Sequence, residues 1–106
     1  MPRENERIEF RVDCVLESTS GKHDVRIRDI GTGGCYIDTI ISVSVGEIVK
    51  FDLVHPKGGR LPFTGIVAYH FNGLGFGVRF TDLNNEHNLF LQRILRILGV
   101  DRPLCR

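Results

Sequence analysis

Apolar and polar residues alternate along most of the chain, and this pattern gives way to a different spacing near the C-terminus. From Arg11 onward, branched aliphatic and aromatic residues recur at every second position in short runs, which is the period of a β-strand with one buried face. Glycine-rich segments separate these runs, and Asn72-Gly73 is typical of a two-residue hairpin turn. After Asp82 the apolar residues fall three or four positions apart, which predicts an amphipathic helix that ends at Gly99.

These patterns predict a mainly β fold with six strands followed by one helix. Short turns between consecutive strands favour an antiparallel sheet, and closure into a six-stranded β-barrel would leave no exposed edge. The C-terminal amphipathic α-helix is expected to pack on this barrel, and Phe71, Phe76 and Phe80 are expected in its core. Along the chain we expect a flexible N-terminal arm over residues 1–10, the barrel and helix over 11–98, and a tail over 99–106.

Composition narrows the class of protein. A chain of 106 residues is expected to form one domain, and 42% hydrophobic against 25% charged residues is typical of a folded globular protein. A formal net charge of +1 argues against binding to a nucleic-acid polymer, which usually requires a clear basic excess. No apolar run is long enough to insert into a membrane, and the N-terminus lacks the hydrophobic segment of a secretory signal. We therefore expect a cytoplasmic protein.

The cysteines and histidines do not suggest a catalytic or metal centre. Cys14, Cys35 and Cys105 are widely spaced and are expected to be reduced thiols, with a Cys14–Cys35 disulfide as the alternative. Cys35 and His70 could imitate a nucleophile and its base, but no third orienting group accompanies them. A small nucleotide hydrolase would require a metal cluster or an acid–base pair, and the sequence shows neither. We therefore expect no enzymatic activity, no metal and no cofactor.

Two groups of residues carry candidate binding chemistry. Arg7 and Arg11 are four positions apart where the polar arm meets the first strand, and a guanidinium can hold a phosphate through paired hydrogen bonds or stack on a base. Asp29 precedes the glycine-rich segment 31–34; its carboxylate can accept hydrogen bonds from a guanine edge, and the glycines let backbone N–H groups surround an anion. Without a ligand, the same groups are explained as solvated surface charge and as a tight turn capped by Asp29.

Taken together and in order, these residues resemble the signature of the PilZ domain family, bacterial receptors for the second messenger cyclic di-GMP. The family pattern is RxxxR followed by [D/N]xSxxG, and a frequent later strand reads GxGVxF. The matching residues are Arg7 and Arg11 in the first motif, Asp29 and Gly34 at the ends of the second, and Gly75, Gly77, Val78 and Phe80 in the strand. The resemblance covers nearly the whole chain.

The resemblance implies a receptor that binds cyclic di-GMP, orders its N-terminal arm over the ligand and signals through a separate effector protein. The arginines would contact guanine and phosphate, the aspartate would read a guanine edge, and the glycines would shape the turn. The residues placed on the ligand in this way are Arg7, Arg11, Asp29, Gly31, Gly33 and Gly34.

One position departs from the family pattern and one bears on stoichiometry. Gly31 stands where the family has serine, and loss of one hydroxyl contact predicts a roughly 5- to 100-fold weaker affinity. The backbone N–H that Gly31 retains is expected to offset part of this loss. Glu6 directly precedes the first motif, and its negative charge disfavours a second anionic nucleotide, so we expect one bound ligand molecule, although the nearby Arg3 would oppose this effect.

Two alternatives follow from the same residues. A degenerate PilZ-like module that has lost the nucleotide and only binds proteins is the alternative function, and the presence of both arginines favours the receptor. Arg26, Arg28 and Arg79 either form a basic face beside Asp29 or pair with acidic residues on neighbouring strands.

Overall fold

The structure, a computed structural model, describes residues 7–98, which form six β-strands and one α-helix. Turns and loops join the strands, and the helix comes last, as the alternating and helical patterns predict. The elements are β1 Ile8–Ser18, β2 Gly21–Ile30, β3 Gly34–Asp38, β4 Ile48–Val54, β5 Arg60–Phe71, β6 Gly75–Thr81 and α1 Asn85–Ile97.

Each strand is antiparallel to both of its neighbours, and the sheet closes into a barrel in the order β1-β2-β3-β6-β5-β4. The prediction of a six-stranded antiparallel barrel with a C-terminal helix is confirmed. The order differs from the sequence order at one place, because the β5–β6 hairpin lies between β3 and β4. Residues 39–47 therefore carry the chain from one side of this hairpin to the other.

The first strand begins earlier than the sequence pattern predicts. β1 starts at Ile8, which pairs with Ile30, whereas the predicted start was Arg11. Phe10 is only 7% exposed and belongs to the core, so residues 8–10 are held in the barrel rather than in a flexible arm over residues 1–10. The remainder of the predicted arm, residues 1–6, and the predicted tail, residues 99–106, lie outside the described residues.

The turn between β5 and β6 is longer than predicted. Phe71 pairs with Gly75, so three residues, Asn72, Gly73 and Leu74, form the loop instead of two. The Leu74 N–H donates a hydrogen bond to the Phe71 carbonyl, 2.9 Å, and Gly73 has a φ of 78°. A four-residue turn with positive φ at its third position strongly favours glycine there, which explains why the Asn-Gly signal predicts the hairpin but not its loop length.

The interior of the barrel is filled by aliphatic and aromatic side chains. Phe63 and Phe76 are fully buried and Phe80 is nearly so, as the alternating pattern predicts for the latter two. Phe71 is 53% exposed, and its predicted place in the core is wrong. The reason is a β-bulge on β5, described below, which reverses the direction of the side chains that follow it.

A capping box fixes the start of α1 beside the barrel. The Asn84 side chain accepts a hydrogen bond from the His87 N–H, and the His87 Nδ1 accepts one from the Asn84 N–H. The other His87 nitrogen, Nε2, lies 2.9 Å from the Pro62 carbonyl on β5, so it carries the proton and donates. Leu91, Ile94 and Leu95 form the buried face of the helix. The predicted helix end at Gly99 lies outside the described residues.

Over residues 7–98, α1 is the sole α-helix, and no helix there has the length and apolar character needed to cross a bilayer.

Candidate functional site

A single lateral row of residues crosses five neighbouring strands of the barrel. Glu9 on β1 is opposite Asp29 on β2, and Asp29 is opposite Tyr36 on β3. Tyr36 is in turn opposite Gly77 on β6, which is opposite Tyr69 on β5. Backbone pairing thus aligns the predicted guanine-reading aspartate with two tyrosines that are distant from it in sequence.

A β-bulge turns the Asp29 side chain to the outer surface. Val25 and Ile27 are buried, so regular alternation of inward and outward side chains along β2 would place residue 29 inside the barrel. The register between β2 and β3 shifts between Ile27 and Asp29, however, and this bulge breaks the alternation. Ile30 takes the interior position and is fully buried. The carboxylate of Asp29, whose side chain is 26% exposed, therefore lies outside the barrel and can contact a ligand.

A second bulge turns Tyr69 outward in the same way. The register between β5 and β6 shifts between Val67 and Tyr69, which leaves Ala68 as the extra residue. Val67 is buried, whereas Tyr69 and Phe71 both lie on the outer surface with their ring centroids 5.5 Å apart. This shift is the physical reason that Phe71 leaves the core.

Arg7 contacts two members of this row, Asp29 on β2 and Tyr69 on β5. Its Nη1 donates a hydrogen bond to the Tyr69 hydroxyl, 3.1 Å, and lies 3.5 Å from Asp29 Oδ1. The arginine and aspartate side chains are both half-buried, so the pair is held against the barrel while part of each group faces solvent. A guanidinium that can bind phosphate is thus placed beside a carboxylate that can accept from a guanine edge.

The glycine in the middle of the row lets the two tyrosines approach each other. A Cβ on Gly77 would overlap the Tyr69 ring, so a larger residue there would displace the ring from its place over β6. The Tyr36 and Tyr69 rings stack with centroids 6.2 Å apart and an interplanar angle of 27°. Arg28 covers the other tyrosine, with its guanidinium carbon 5.3 Å from the Tyr36 ring centroid. The GxGVxF strand therefore shapes this outer surface.

A pocket of about 220 Å³ opens next to Arg7. The glycine-rich turn between β2 and β3, residues 31–34, forms one wall, and two arginines are among the other lining residues. Its lining residues are Arg7, Gly31, Gly33, Gly34, Ala68, Val78 and Arg79. Two cations and no carboxylate line this pocket, so it suits an anionic group.

Some backbone groups of the glycine turn already form hydrogen bonds within the protein. The Gly31 N–H donates to the Gly34 carbonyl, 2.9 Å, and the Gly33 carbonyl accepts from the Phe80 N–H, 2.9 Å. The Gly31 N–H is therefore used within the turn, contrary to the expectation that it offsets the missing serine hydroxyl. A ligand in this pocket requires other donors.

A larger concavity lies elsewhere and has the opposite charge. It measures about 800 Å³, and its lining includes Asp13, Asp24 and Asp38 together with one arginine, Arg26. Its carboxylates outnumber its cation, so this surface repels a phosphodiester despite its greater size. The smaller, basic pocket is the better candidate site.

The structure brings five of the six predicted ligand residues together and leaves Arg11 apart. Arg7 contacts Asp29, and Arg7 shares the small pocket with the three glycines. Arg11 instead donates from Nε to Glu9 Oε2, 2.6 Å, and this hydrogen bond raises the pKa of the arginine. Its exposed side chain would have to exchange this carboxylate for a phosphate to join the site.

The three further arginines, Arg26, Arg28 and Arg79, do not form one basic face. Arg26 pairs with Asp13 at 3.0 Å and Arg28 pairs with Asp38 at 3.3 Å, so these two follow the cross-strand pairing alternative. Arg79 lines the basic pocket. The face therefore contributes one arginine, not three, to the candidate site.

The cysteines provide no nucleophile within residues 7–98. Cys14 and Cys35 are free thiols and form no disulfide with each other. Burial raises the pKa of Cys14 to about 12, and the fully buried Cys35 also has a raised pKa, again chiefly through burial. Both thiols therefore stay protonated at neutral pH. In the same part of the chain, no three His, Cys, Asp or Glu residues are grouped as metal ligands. Cys105 lies outside the described residues.

Sequence reasoning did not identify Tyr69 or Ala68 as parts of this surface. Tyr69 reaches Arg7 only because of the bulge at Ala68, and a bulge has no signature in the alternation of a strand rich in β-branched and aromatic residues. The glycine at position 77 is the one available signal, because a strand glycine often indicates close approach of another group.

Comparisons with known proteins agree with this architecture. The sequence model of the PilZ domain matches residues 2–98. The structure is similar to the PilZ domain of CeSA from a cellulose-synthesising bacterium, with a TM-score of 0.67, 17% identity, and coverage of 88% of this chain and 98% of that one. It is also similar to the PlzA protein of Borreliella burgdorferi, solved in complex with c-di-GMP, with a TM-score of 0.67, 14% identity, and coverage of 88% of this chain and 40% of that one. No curated protein sequence matches the chain. Because the family match spans nearly all of its residues, the chain belongs to the PilZ domain family.

Proposed function

We propose that this chain is a receptor for cyclic di-GMP, which binds on the outer surface of the barrel at the glycine turn and the adjoining lateral row. The observation that carries the proposal is the Arg7–Asp29 pair beside a basic pocket lined by glycines. Membership of the PilZ family and the c-di-GMP complex of a structural neighbour support it.

In this proposal the cation and the carboxylate of the site bind different parts of the ligand. Arg7 binds a phosphodiester, and Asp29 accepts hydrogen bonds from the N–H edge of guanine, which adenine does not offer in the same form. The basic pocket, at about 220 Å³, is below the roughly 300–1,000 Å³ typical of small-molecule pockets. It therefore holds part of the ligand, and the remainder lies on the neighbouring outer surface.

Arg11 joins the site by changing partners. Its present bond to Glu9 is an exposed ion pair between residues two positions apart, and such pairs contribute little to stability. A phosphodiester that approaches the barrel can replace the carboxylate. The free protein thus holds Arg7 in place and keeps Arg11 in an exposed ion pair that a ligand can replace.

We further propose that the bound state is read by a separate effector protein. Residues 1–6 precede Arg7 directly, so a ligand held by Arg7 and Arg11 would lie next to them. Their ordering on ligand binding stays a prediction, because they lie outside the described residues. The effector would then recognise a surface made of the ligand and the chain around it.

Isothermal titration of the purified protein with cyclic di-GMP tests the proposed function. We expect binding in the micromolar range or tighter with one ligand per chain. Binding of cyclic di-AMP and GTP should be much weaker, because cyclic di-AMP lacks the guanine edge that Asp29 accepts from and GTP lacks the bridging phosphodiesters. Absence of heat up to roughly millimolar cyclic di-GMP would contradict the receptor and favour the degenerate protein-binding module.

A further inference from the structure

Arg79 differs from the other arginines on the barrel. Five arginines lie on the described strands, and four of them have a carboxylate within ion-pair distance: Arg11, Arg26, Arg28 and Arg60. Among residues 7–98, Arg79 has no carboxylate at that distance and no hydrogen-bond partner for its side chain. An exposed guanidinium without a protein partner keeps all its donors available to a ligand.

Backbone pairing fixes where this free guanidinium lies. Arg79 on β6 is opposite Gly34 on β3, the last residue of the glycine turn. Arg79 is exposed, and it lines the basic pocket together with Arg7. The pocket thus has one cation anchored by Asp29 and Tyr69 and a second that nothing in the described part of the chain neutralises.

The glycine turn supplies no free donor to the pocket at position 31. Gly31 has no side-chain hydroxyl, and its N–H is bonded to the Gly34 carbonyl. A phosphodiester that enters this pocket therefore finds no free donor at Gly31, and a donor on a neighbouring element could replace it. Arg79 lines the pocket and has no ion-pair or hydrogen-bond partner among residues 7–98.

We propose that Arg79 is a ligand-binding residue that contacts a phosphodiester of cyclic di-GMP and replaces the donor that glycine at position 31 does not provide. This inference rests on the proposed function. It assigns to the variable position of the GxGVxF strand a role that neither motif includes, and it predicts that the effects of positions 31 and 79 on affinity are coupled.

The test is isothermal titration with cyclic di-GMP of the wild type, Arg79→Ala and Arg93→Ala. Arg93 is the matched control, because it is an exposed arginine on α1 and its replacement changes the net charge by the same amount. We expect Arg79→Ala to weaken binding about 10- to 100-fold and Arg93→Ala to change it less than about twofold. Arg79→Lys, which keeps the charge but not the planar pair of donors, should lie between Arg79→Ala and the wild type.

Gly31→Ser and the double variant Gly31→Ser/Arg79→Ala complete a double-mutant cycle, which measures whether positions 31 and 79 affect affinity independently. If Arg79 replaces the missing hydroxyl, the serine improves affinity more in the Arg79→Ala background than in the wild type. Equal effects in both backgrounds would show that the two positions act independently and would overturn the replacement role.

The outcomes separate the inference from the proposed function. Wild-type binding with an unchanged Arg79→Ala affinity overturns the inference and leaves the receptor intact. Equal weakening in Arg79→Ala and Arg93→Ala reduces the role of Arg79 to net charge and also overturns it. Failure of the wild type to bind overturns both. Thermal unfolding of Arg79→Ala should match the wild type, because the side chain has no ion-pair or hydrogen-bond partner to lose among residues 7–98.

Discussion

Replacing Arg7 with alanine is expected to weaken cyclic di-GMP binding by at least about 10-fold and to leave the ligand-free protein nearly as stable as the wild type. The loss of affinity follows from removal of a charge-assisted contact to phosphate, which is worth about 1.5–3 kcal/mol. It also leaves the Asp29 carboxylate without its cation, so this residue then repels the ligand's phosphates.

The small effect on stability has a separate physical reason. Arg7 precedes β1, and its 3.5 Å contact with Asp29 and its hydrogen bond to Tyr69 lie at the barrel surface, where such contacts contribute about 1 kcal/mol or less. Urea unfolding of the free variant and titration with cyclic di-GMP measure the two effects independently. A loss of several kcal/mol in the free energy of unfolding would instead make Arg7 a structural residue.

Arg60→Ala is the matched control for Arg7→Ala. Arg60 begins β5 and forms a surface ion pair with Asp52 at 3.7 Å, so its removal changes the same charge and breaks the same kind of contact at a distance from the glycine turn. We expect its affinity for cyclic di-GMP to remain within about twofold of the wild type. Similar weakening in both variants would mean that overall charge, and not the site, determines binding.

Replacing Gly34 with alanine is expected to lower the free energy of unfolding by about 3 kcal/mol or more, the largest effect on stability that we predict. A Cβ at this position would overlap the carbonyl oxygen of Val78, which is backbone and cannot rotate away. β3 and β6 would have to separate where Gly34 pairs with Arg79. For a domain of this size the melting temperature should fall by more than about 10 °C.

Gly73→Ala provides the comparison, because it also adds one methyl group to a glycine. Gly73 lies at the tip of the β5–β6 loop with a φ of 78°, and a Cβ on it would meet no neighbouring group within 4 Å. Its replacement should cost about 1–2 kcal/mol from backbone strain alone. Equal destabilisation of the two variants would contradict the close strand contact at Gly34. The last glycine of the family motif is thus required by the fold whether or not a ligand is bound.

The regular parts of the fold follow from the sequence because alternation and helical spacing report which face of each element is buried. β6 contains the residues of the GxGVxF strand, and α1 follows Asp82, as their patterns predict. The start of β1 was missed because Ile8 and Phe10 are embedded among charged residues, and two apolar positions are too few to establish a period.

The site was only partly predictable, because it depends on register rather than on composition. The motif residues Arg7 and Asp29 could be named from the resemblance to the PilZ motifs, but alternation along β2 would have placed Asp29 inside the barrel. Bulges are set by how strands pair, which a single strand's pattern does not report. The contact of Tyr69 with Arg7 and the place of Arg79 beside the pocket therefore emerge only from the three-dimensional structure.

The most direct test of the central claim, that the glycine turn and the lateral row bind cyclic di-GMP, is a titration followed by amide chemical shifts in ¹⁵N–¹H spectra. We predict that the largest shifts fall in the segment 29–34 and at Tyr36, Tyr69 and Arg79, with little change around the acidic concavity near Asp13. Shifts concentrated at that concavity, or none at saturating ligand, would contradict the account.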